Sequence, residues 1–222
     1  MENHLKCLLL NSFLYQLKAY SMLDKNPDQS SLIGISEARK YLNKNTLTAV
    51  LCSEPFAKAA FLSKLIDQTD TPIIYLDFDL LYSGYVNSEM LPKNTNVSLF
   101  APSKDDWNAI LKKILLMILN QKSVVIIDSL NGLYNLFDGK NIGRLVNAYI
   151  MLLVFMAKES GSSVLFSSMV RKKEKEGWVL SPTGRRIVDT KMTKIYLKKY
   201  NSEITMEVIG DDEAVVDSIK II

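Results

Sequence analysis

Short apolar runs alternate along the chain with longer segments in which apolar residues recur at helical spacing. Short apolar runs bounded by polar residues predict buried strands, and repeats at i, i+3 and i+4 predict helices. Strands are predicted over residues 46–51, 72–77, 97–100, 123–128 and 163–168. Helices are predicted from Pro55 onward and over residues 103–120 and 142–159. This alternation is typical of an α/β protein whose largely parallel sheet is covered by helices on both faces.

Two of these helices carry an apolar stripe that predicts which side packs on the sheet. The first opens on Ser103 and Asp106, which have the spacing of a capping box. Its stripe consists of Trp107, Ile110, Leu111, Ile114, Leu115 and Ile118. The stripe predicted for the second consists of Leu145, Val146, Tyr149 and Leu153.

The two ends of the chain depart from this pattern. Residues 5–23 predict an amphipathic helix, and the polar, Pro-containing stretch 24–33 predicts a linker. We therefore divide the chain into a helix with its linker over 1–30 and a core domain over 31–222. Near the other end, alternating segments at 192–199 and 203–209 predict an antiparallel hairpin that extends the sheet.

Composition restricts the class of protein. With 222 residues, 48% of them hydrophobic, the chain is long enough for one substantial core. Cys7 and Cys52 each lie in an apolar run, which predicts two buried thiols in a reducing compartment. Charged and polar residues interrupt 5–23, so this segment fits neither a membrane span nor a signal peptide. We expect a cytoplasmic protein, with no metal site because His4 is the single histidine.

The segment 47–65 has the order of a phosphate-binding P-loop, a strand followed by a loop and a helix. In the motif G-x-x-x-x-G-K-[ST], the glycines let backbone N–H groups surround phosphate, the Lys contacts the outer phosphates and the hydroxyl holds Mg²⁺. Lys58 is the one matching residue, because Cys52 and Ala57 stand at the glycine positions and Ala59 at the hydroxyl position. Lys58 is therefore either a phosphate ligand or a solvated helix lysine.

Two predicted strands end in carboxylates. Asp128 follows a buried apolar run, as does an aspartate that holds Mg²⁺ in phosphoryl-transfer proteins. Asp77 and Asp79 bracket the end of an earlier strand. The residues alone leave Asp128 either as such a ligand or as a strand-end carboxylate, and Asp77 and Asp79 either as site acids or as turn formers.

With these parts in order, residues 32–210 resemble the ATPase core of the RecA/RadA recombinase superfamily, especially the short RadA paralogues. Segment 34–42 resembles the family's sequence before its P-loop, and 124–130 resembles its metal-binding strand. Segment 164–169 resembles the strand that ends in a γ-phosphate-sensing Gln, and 181–184 resembles the P-x-G-G after the family's second DNA-binding loop. The resemblance implies a RecA-like P-loop NTPase core.

The chain departs from the family at the residues that carry catalysis. Asp79 stands where the family has a catalytic Glu, and Met169 replaces the sensor Gln. Pro55 and Phe56 also place bulk in the loop, and Pro55 lacks an N–H. Because phosphoryl transfer needs these groups together, we expect a pseudo-ATPase with weak or no ATP and Mg²⁺ binding. Lys58, Asp79 and Asp128 would be remnants of the site.

The segment 171–191 is turn-rich and holds the net positive charge of the chain. It has seven basic and three acidic residues, a net +4, whereas the whole chain is +3. Basic groups beside an aromatic ring suit a nucleic-acid backbone with a stacked base, and the segment matches the family's DNA-binding loop in position. The candidate contacts are Arg171, Lys172, Lys173, Lys175, Trp178, Arg185 and Arg186. The alternative is a solvated loop with Trp178 folded onto the body.

The resemblance implies a non-hydrolysing accessory factor in homologous recombination and DNA repair. Its expected partners are single-stranded DNA and either a RecA/RadA-family recombinase or a second copy of the chain. Helix 5–23 could supply apolar surface to a neighbour or pack on its own domain. Two alternatives stay open: an ATP-independent interaction subunit, as in the Elongator ring or KaiC-like signalling proteins, and a weak ATPase.

Overall fold

The computed structural model describes residues 29–42, 46–174, 177–181, 191–201 and 203–221. The predicted helix over 5–23, together with Cys7, lies outside these residues. Within them, no helix is both long enough and apolar enough to cross a membrane.

The described chain alternates between helices and strands, as the apolar pattern predicted. The helices are α1 (Gln29–Leu42), α2 (Pro55–Asp67), α3 (Leu81–Asn87), α4 (Trp107–Asn120), α5 (Leu130–Asn135) and α6 (Ile142–Glu159). The strands are β1 (Leu47–Cys52), β2 (Ile73–Asp77), β3 (Val97–Phe100), β4 (Val124–Asp128), β5 (Ser163–Lys173), β6 (Gly177–Leu180), β7 (Thr193–Tyr200), β8 (Glu203–Ile209) and β9 (Val215–Lys220).

The strands form one mixed sheet in the order β3-β2-β4-β5-β1-β7-β8-β9. The six strands from β3 to β7 run parallel, and β8 and β9 continue the sheet antiparallel. The predicted terminal hairpin is therefore confirmed as β7 and β8. Strand β5 lies between β1 and β4, so the residues that follow β1, β4 and β5 meet at one edge of the sheet.

Helices cover both faces of the sheet and bury two separate cores. Strand β1 shows why, because Leu47, Ala49 and Leu51 point to one face while Val50 and Cys52 point to the other. The first face packs against α4, α5 and α6, and the second against α1, α2 and α3. Both cores are apolar, and strands buried on both sides explain the unbroken apolar runs of the sequence.

The two amphipathic helices follow their predicted patterns closely. Ser103 and Asp106 exchange bonds as a capping box: the Ser103 N–H donates to Asp106 Oδ1 at 2.7 Å, and the Asp106 N–H to Ser103 Oγ at 3.4 Å. Trp107 is fully buried in the core, as predicted. On α6 the predicted stripe is wrong at Leu145, which is 39% exposed. The buried positions of α6 are Ile142, Val146, Ile150, Leu153 and Ala157.

Four features differ from the sequence-based expectations. Helix α1 begins at Gln29, inside the stretch predicted as a linker. Strand β5 continues to Lys173 and pairs with β6, so the first part of the predicted basic loop is a hairpin. Helices α3 and α5 are too short to show a period, and strand β9 alternates poorly because it lies at the sheet edge.

Candidate functional site

Lys58 lies at the carboxyl ends of the parallel strands, on the face covered by α2. It sits in the first turn of α2, and its side chain is only 2% exposed. The reading of Lys58 as a solvated helix lysine is therefore wrong. A buried ammonium needs a counter-charge, because removal from water disfavours the ionised form.

Two carboxylates supply that charge. Lys58 Nζ lies 2.6 Å from Asp128 Oδ1 and 2.7 Å from Asp79 Oδ2. Burial alone would lower the pKa of Lys58, but the two carboxylates outweigh it and raise the pKa above its ordinary value. The sequence-predicted residues Lys58, Asp79 and Asp128 thus form one ion-paired cluster, with one positive and two negative groups.

Asp128 is held from the sheet side by two hydroxyls that the sequence analysis did not identify. Tyr75 Oη donates to Asp128 Oδ2 at 2.7 Å, and Ser167 Oγ donates to Asp128 Oδ1 at 2.5 Å. Burial and the charge of Asp128 raise the pKa of Tyr75 well above its ordinary value, so this hydroxyl stays a donor. Both atoms of the Asp128 carboxylate therefore have partners within the protein.

Asp79 is positioned by α5. Ser129 Oγ donates to Asp79 Oδ1 at 3.0 Å and accepts from the Gly132 N–H at 3.2 Å, which makes Ser129 the N-cap of α5. The close approach depends on glycine, since a Cβ at Gly132 would lie 2.6 Å from Phe78 Cβ and 2.7 Å from Asp79 Oδ1.

Asp77 has a different role from Asp79. Its carboxylate accepts from the Ser83 N–H at 2.6 Å and the Leu81 N–H at 3.2 Å, at the start of α3. Burial raises the pKa of Asp77. Of the two readings, Asp77 is the turn former and Asp79 belongs to the ion-paired cluster.

The connection from β1 to α2 is very short. Only Ser53 and Glu54 separate the end of β1 from Pro55, which begins the helix. Glu54 occupies the N-cap and lies 3.7 Å from Lys199 Nζ, which also lies over the ring of Phe56 at 4.9 Å. A proline at the first helical position favours this early start, because its φ suits the first turn.

Cys52 and Met169, at the positions of the first P-loop glycine and of the family's sensor Gln, contact each other. They are partners in the register of β1 and β5, with 3.5 Å between Cys52 Sγ and Met169 Sδ. Burial raises the pKa of Cys52 to about 12. Cys52 is therefore a packed, un-ionised thiol.

The candidate nucleic-acid residues lie partly on the β5–β6 hairpin. Arg171 and Lys172 are exposed and Lys173 is half-buried, all on β5. The backbone of Trp178 pairs with Lys172 across the hairpin. Lys175, Arg185 and Arg186 lie outside the described residues. The hairpin leaves the sheet directly after Met169, next to the ion-paired cluster.

Asn131 connects this hairpin to α5, and the sequence analysis missed it. Asn131 Nδ2 donates to the carbonyls of Met169 (3.1 Å) and Ser181 (2.8 Å), while Asn131 Oδ1 accepts from the Met169 N–H (2.9 Å). An asparagine two residues after a strand-end serine carries no local signal of such contacts.

Comparison with known proteins bears on the fold. No protein-family model matches the chain, and no curated protein matches it. Among solved structures, the chain is similar to the ATPase domain of a DnaB-like helicase, with a TM-score of 0.53 and 12% identity over 93% of each chain. The chain has the α/β RecA-like fold of P-loop NTPases. The narrower likeness to RadA paralogues stays a prediction.

Proposed function

We propose that this chain is a non-hydrolysing RecA-like protein, related to the RadA paralogues, that assists homologous recombination and DNA repair inside the cell. It binds DNA and either a RecA/RadA-family recombinase or a second copy of itself. The observation that carries the proposal is the ion-paired cluster, in which Lys58 is held by Asp128 and Asp79.

The residues at this position do not fit Mg²⁺ and a nucleotide. Lys58 would have to leave two carboxylates to reach a phosphate, and both carboxylates would then repel it. The two-residue connection before Pro55 leaves no loop of N–H groups to surround phosphate, and Glu54 places a further negative charge at the start of α2. Ala59 has no hydroxyl for the metal. We therefore assign the cluster a structural role.

Isothermal calorimetry with ATP and Mg²⁺ tests the proposal. We expect no binding at micromolar nucleotide, in wild type or in Lys58→Ala. A micromolar affinity that disappears in Lys58→Ala would contradict the proposal and favour the weak ATPase. Circular dichroism must show that the variant is folded, and Lys64→Ala on the same helix is the matched control.

The basic hairpin supports the DNA-binding part of the proposal. Arg171 and Lys172 are presented on a paired strand, which fixes their spacing for successive contacts along a phosphate backbone. Fluorescence anisotropy with labelled single-stranded DNA at low salt is the direct measurement. An absence of binding under those conditions would remove DNA as a partner.

A second candidate is an ATP-independent interaction subunit, which one surface favours. Helices α4 and α6 pack together, with Trp107 and Tyr149 in edge contact at 5.3 Å. Their outer sides form an apolar α4–α6 face of exposed residues: Leu116, Leu119, Leu145, Met151, Leu152 and Phe155. Exposed apolar patches of this kind mark protein interfaces.

Light scattering distinguishes this candidate from the first. If the α4–α6 face joins two copies, Met151→Ser with Phe155→Ser should shift the chain to monomer. Val216→Ser, at a 62% exposed position on β9, is the control and should change nothing. Loss of assembly combined with an absence of DNA binding would favour the interaction subunit.

A further inference from the structure

A cavity of about 180 Å³ opens at the amino-terminal edge of the sheet, opposite the ion-paired cluster. The last turns of α1 and α2 form two of its walls, and the first residues of β1, β4 and β5 form the floor. Its polar lining includes Arg39, Thr48, Thr69, Asp70 and Ser163. None of these residues takes part in the function proposed above.

Arg39 brings an incomplete hydrogen-bonding group to this cavity. Its Nη2 atom is buried and has no hydrogen-bond partner among the residues that the structure describes. A buried guanidinium nitrogen without an acceptor is costly, and an incoming oxygen would relieve that cost. The oxygen of a carboxylate or phosphate is the strongest acceptor for this group.

The other polar groups of the cavity are mainly acceptors. The Thr48 hydroxyl donates to the Leu42 carbonyl at 3.4 Å, and the Thr69 hydroxyl donates to the Leu65 carbonyl at 2.5 Å, so each offers lone pairs to a further partner. Asp70 adds a carboxylate at an exposed position. Two helix C-termini border the cavity, and their partial negative charge disfavours a dianion.

We propose that this cavity binds a small amino- or hydroxy-carboxylate. The carboxylate accepts from Arg39, and the amino or hydroxyl group donates to the acceptors around it. A phosphate dianion satisfies Arg39 but is repelled by Asp70 and by the two helix ends. The ligand class follows from the presence of one cationic donor and several acceptors in a cavity of this size.

Chemical-shift titration of the isotope-labelled full chain tests the proposal, with glycine, glycolate and inorganic phosphate as probes. Glycine and glycolate should shift the amides of Arg39, Thr48 and Thr69–Thr71 with an affinity on the order of 1 mM, as suits ligands of this size. Inorganic phosphate should produce no saturable shift there. Equal or tighter binding of phosphate would contradict the ligand class, and no saturation by any probe would overturn the site.

Variants test the part played by Arg39. Arg39→Ala should weaken glycine binding by about tenfold or more, since a charge-assisted hydrogen bond is lost. Arg144→Ala, an exposed arginine on α6, should leave it unchanged. If Arg39→Ala does not fold, Arg39→Gln keeps much of the side-chain length without the charge and should weaken binding similarly. Unchanged binding in a folded Arg39 variant would refute the proposal.

Discussion

Asn131 and Met169 exchange two hydrogen bonds between a side-chain amide and a main-chain peptide. The Met169 N–H donates to Asn131 Oδ1 at 2.9 Å, and Asn131 Nδ2 donates to the Met169 carbonyl at 3.1 Å. The pair joins the start of α5, where Ser129 holds Asp79, to the base of the basic hairpin. The ion-paired cluster and the candidate DNA-binding strand therefore share one anchoring side chain.

Replacement of Asn131 should loosen the hairpin without disturbing the ion pairs. Asn131→Ala removes three hydrogen bonds and leaves main-chain groups of Met169 and Ser181 unpaired, at a cost of about 1–3 kcal/mol. Hydrogen exchange at the β5–β6 amides should accelerate, while β4 amides keep their protection. Asn108→Ala, exposed on α4, is the control. Uniform acceleration in both strands would mean that Asn131 acts on global stability alone.

Loss of Lys58 should be among the most destabilising substitutions of the chain. Lys58→Met leaves Asp128 buried without its cation, which should lower the free energy of unfolding by about 3–5 kcal/mol. Because the pKa of folded Lys58 is raised, its stabilisation is complete below the ordinary lysine pKa and is lost only as pH rises through the higher folded value. Urea denaturation at neutral pH measures the loss.

A double-mutant cycle identifies the cause of that loss. Lys58→Met combined with Asp128→Asn should cost less than the two single changes added, because the unpaired charge is removed. Lys64→Ala, on the same helix, should cost about 1 kcal/mol or less. Additive single effects would show that Lys58 and Asp128 do not interact in solution.

Gly132 should tolerate no side chain. Gly132→Ala places a Cβ against Phe78 and Asp79, so either α5 or the β2–α3 connection must move. We expect a loss of about 1–3 kcal/mol in thermal or urea denaturation. Gly143→Ala is the matched control, since nothing lies within 4 Å of its added Cβ and helix propensity should make it neutral or slightly stabilising. Equal effects at both glycines would contradict the packing argument.

Contact between the hairpin and a phosphate backbone predicts a steep dependence of DNA binding on salt. With several basic residues engaged, the log–log slope for single strands should be about −2 to −4, at about −0.7 per contact. Joint replacement of Arg171, Lys172 and Lys173 by Ala should flatten this slope. Trp178→Ala should cost about 1–3 kcal/mol with the slope nearly unchanged if one base stacks there. A triple variant with the wild-type slope would place the DNA contacts elsewhere.

The bond between Tyr41 and Asp217 predicts a pH effect at the edge of the sheet. Tyr41 Oη donates to Asp217 Oδ2 at 2.5 Å, and this bond lowers the pKa of Asp217. Its stabilisation is therefore present above the ordinary aspartate pKa and is lost as pH falls through the lowered folded value. In Tyr41→Phe the pKa of Asp217 should rise toward its ordinary value, as carboxyl NMR titration would measure. Tyr200→Phe is the control, and an Asp217 pKa unchanged by Tyr41→Phe would refute the coupling.

The sequence by itself determined the fold class and the order of its main elements. Strands such as β4 are buried on both faces, so their apolar runs are unbroken and visible without a structure. The order of Lys58, Asp79 and Asp128 after three such strands was enough to predict that they converge, because parallel strands place their carboxyl ends at one edge.

Only the tertiary structure decided what those residues do there. Tyr75, Ser167 and Asn131 reach the cluster or the hairpin from elements far apart in the chain, and no local pattern marks contacts of that range. The basic residues 171–173 have no apolar alternation, so their strand exists only through pairing with β6. Lys58 looked like a surface lysine by sequence, and burial between two carboxylates made it the centre of the cluster, because a charge taken out of water must be paired.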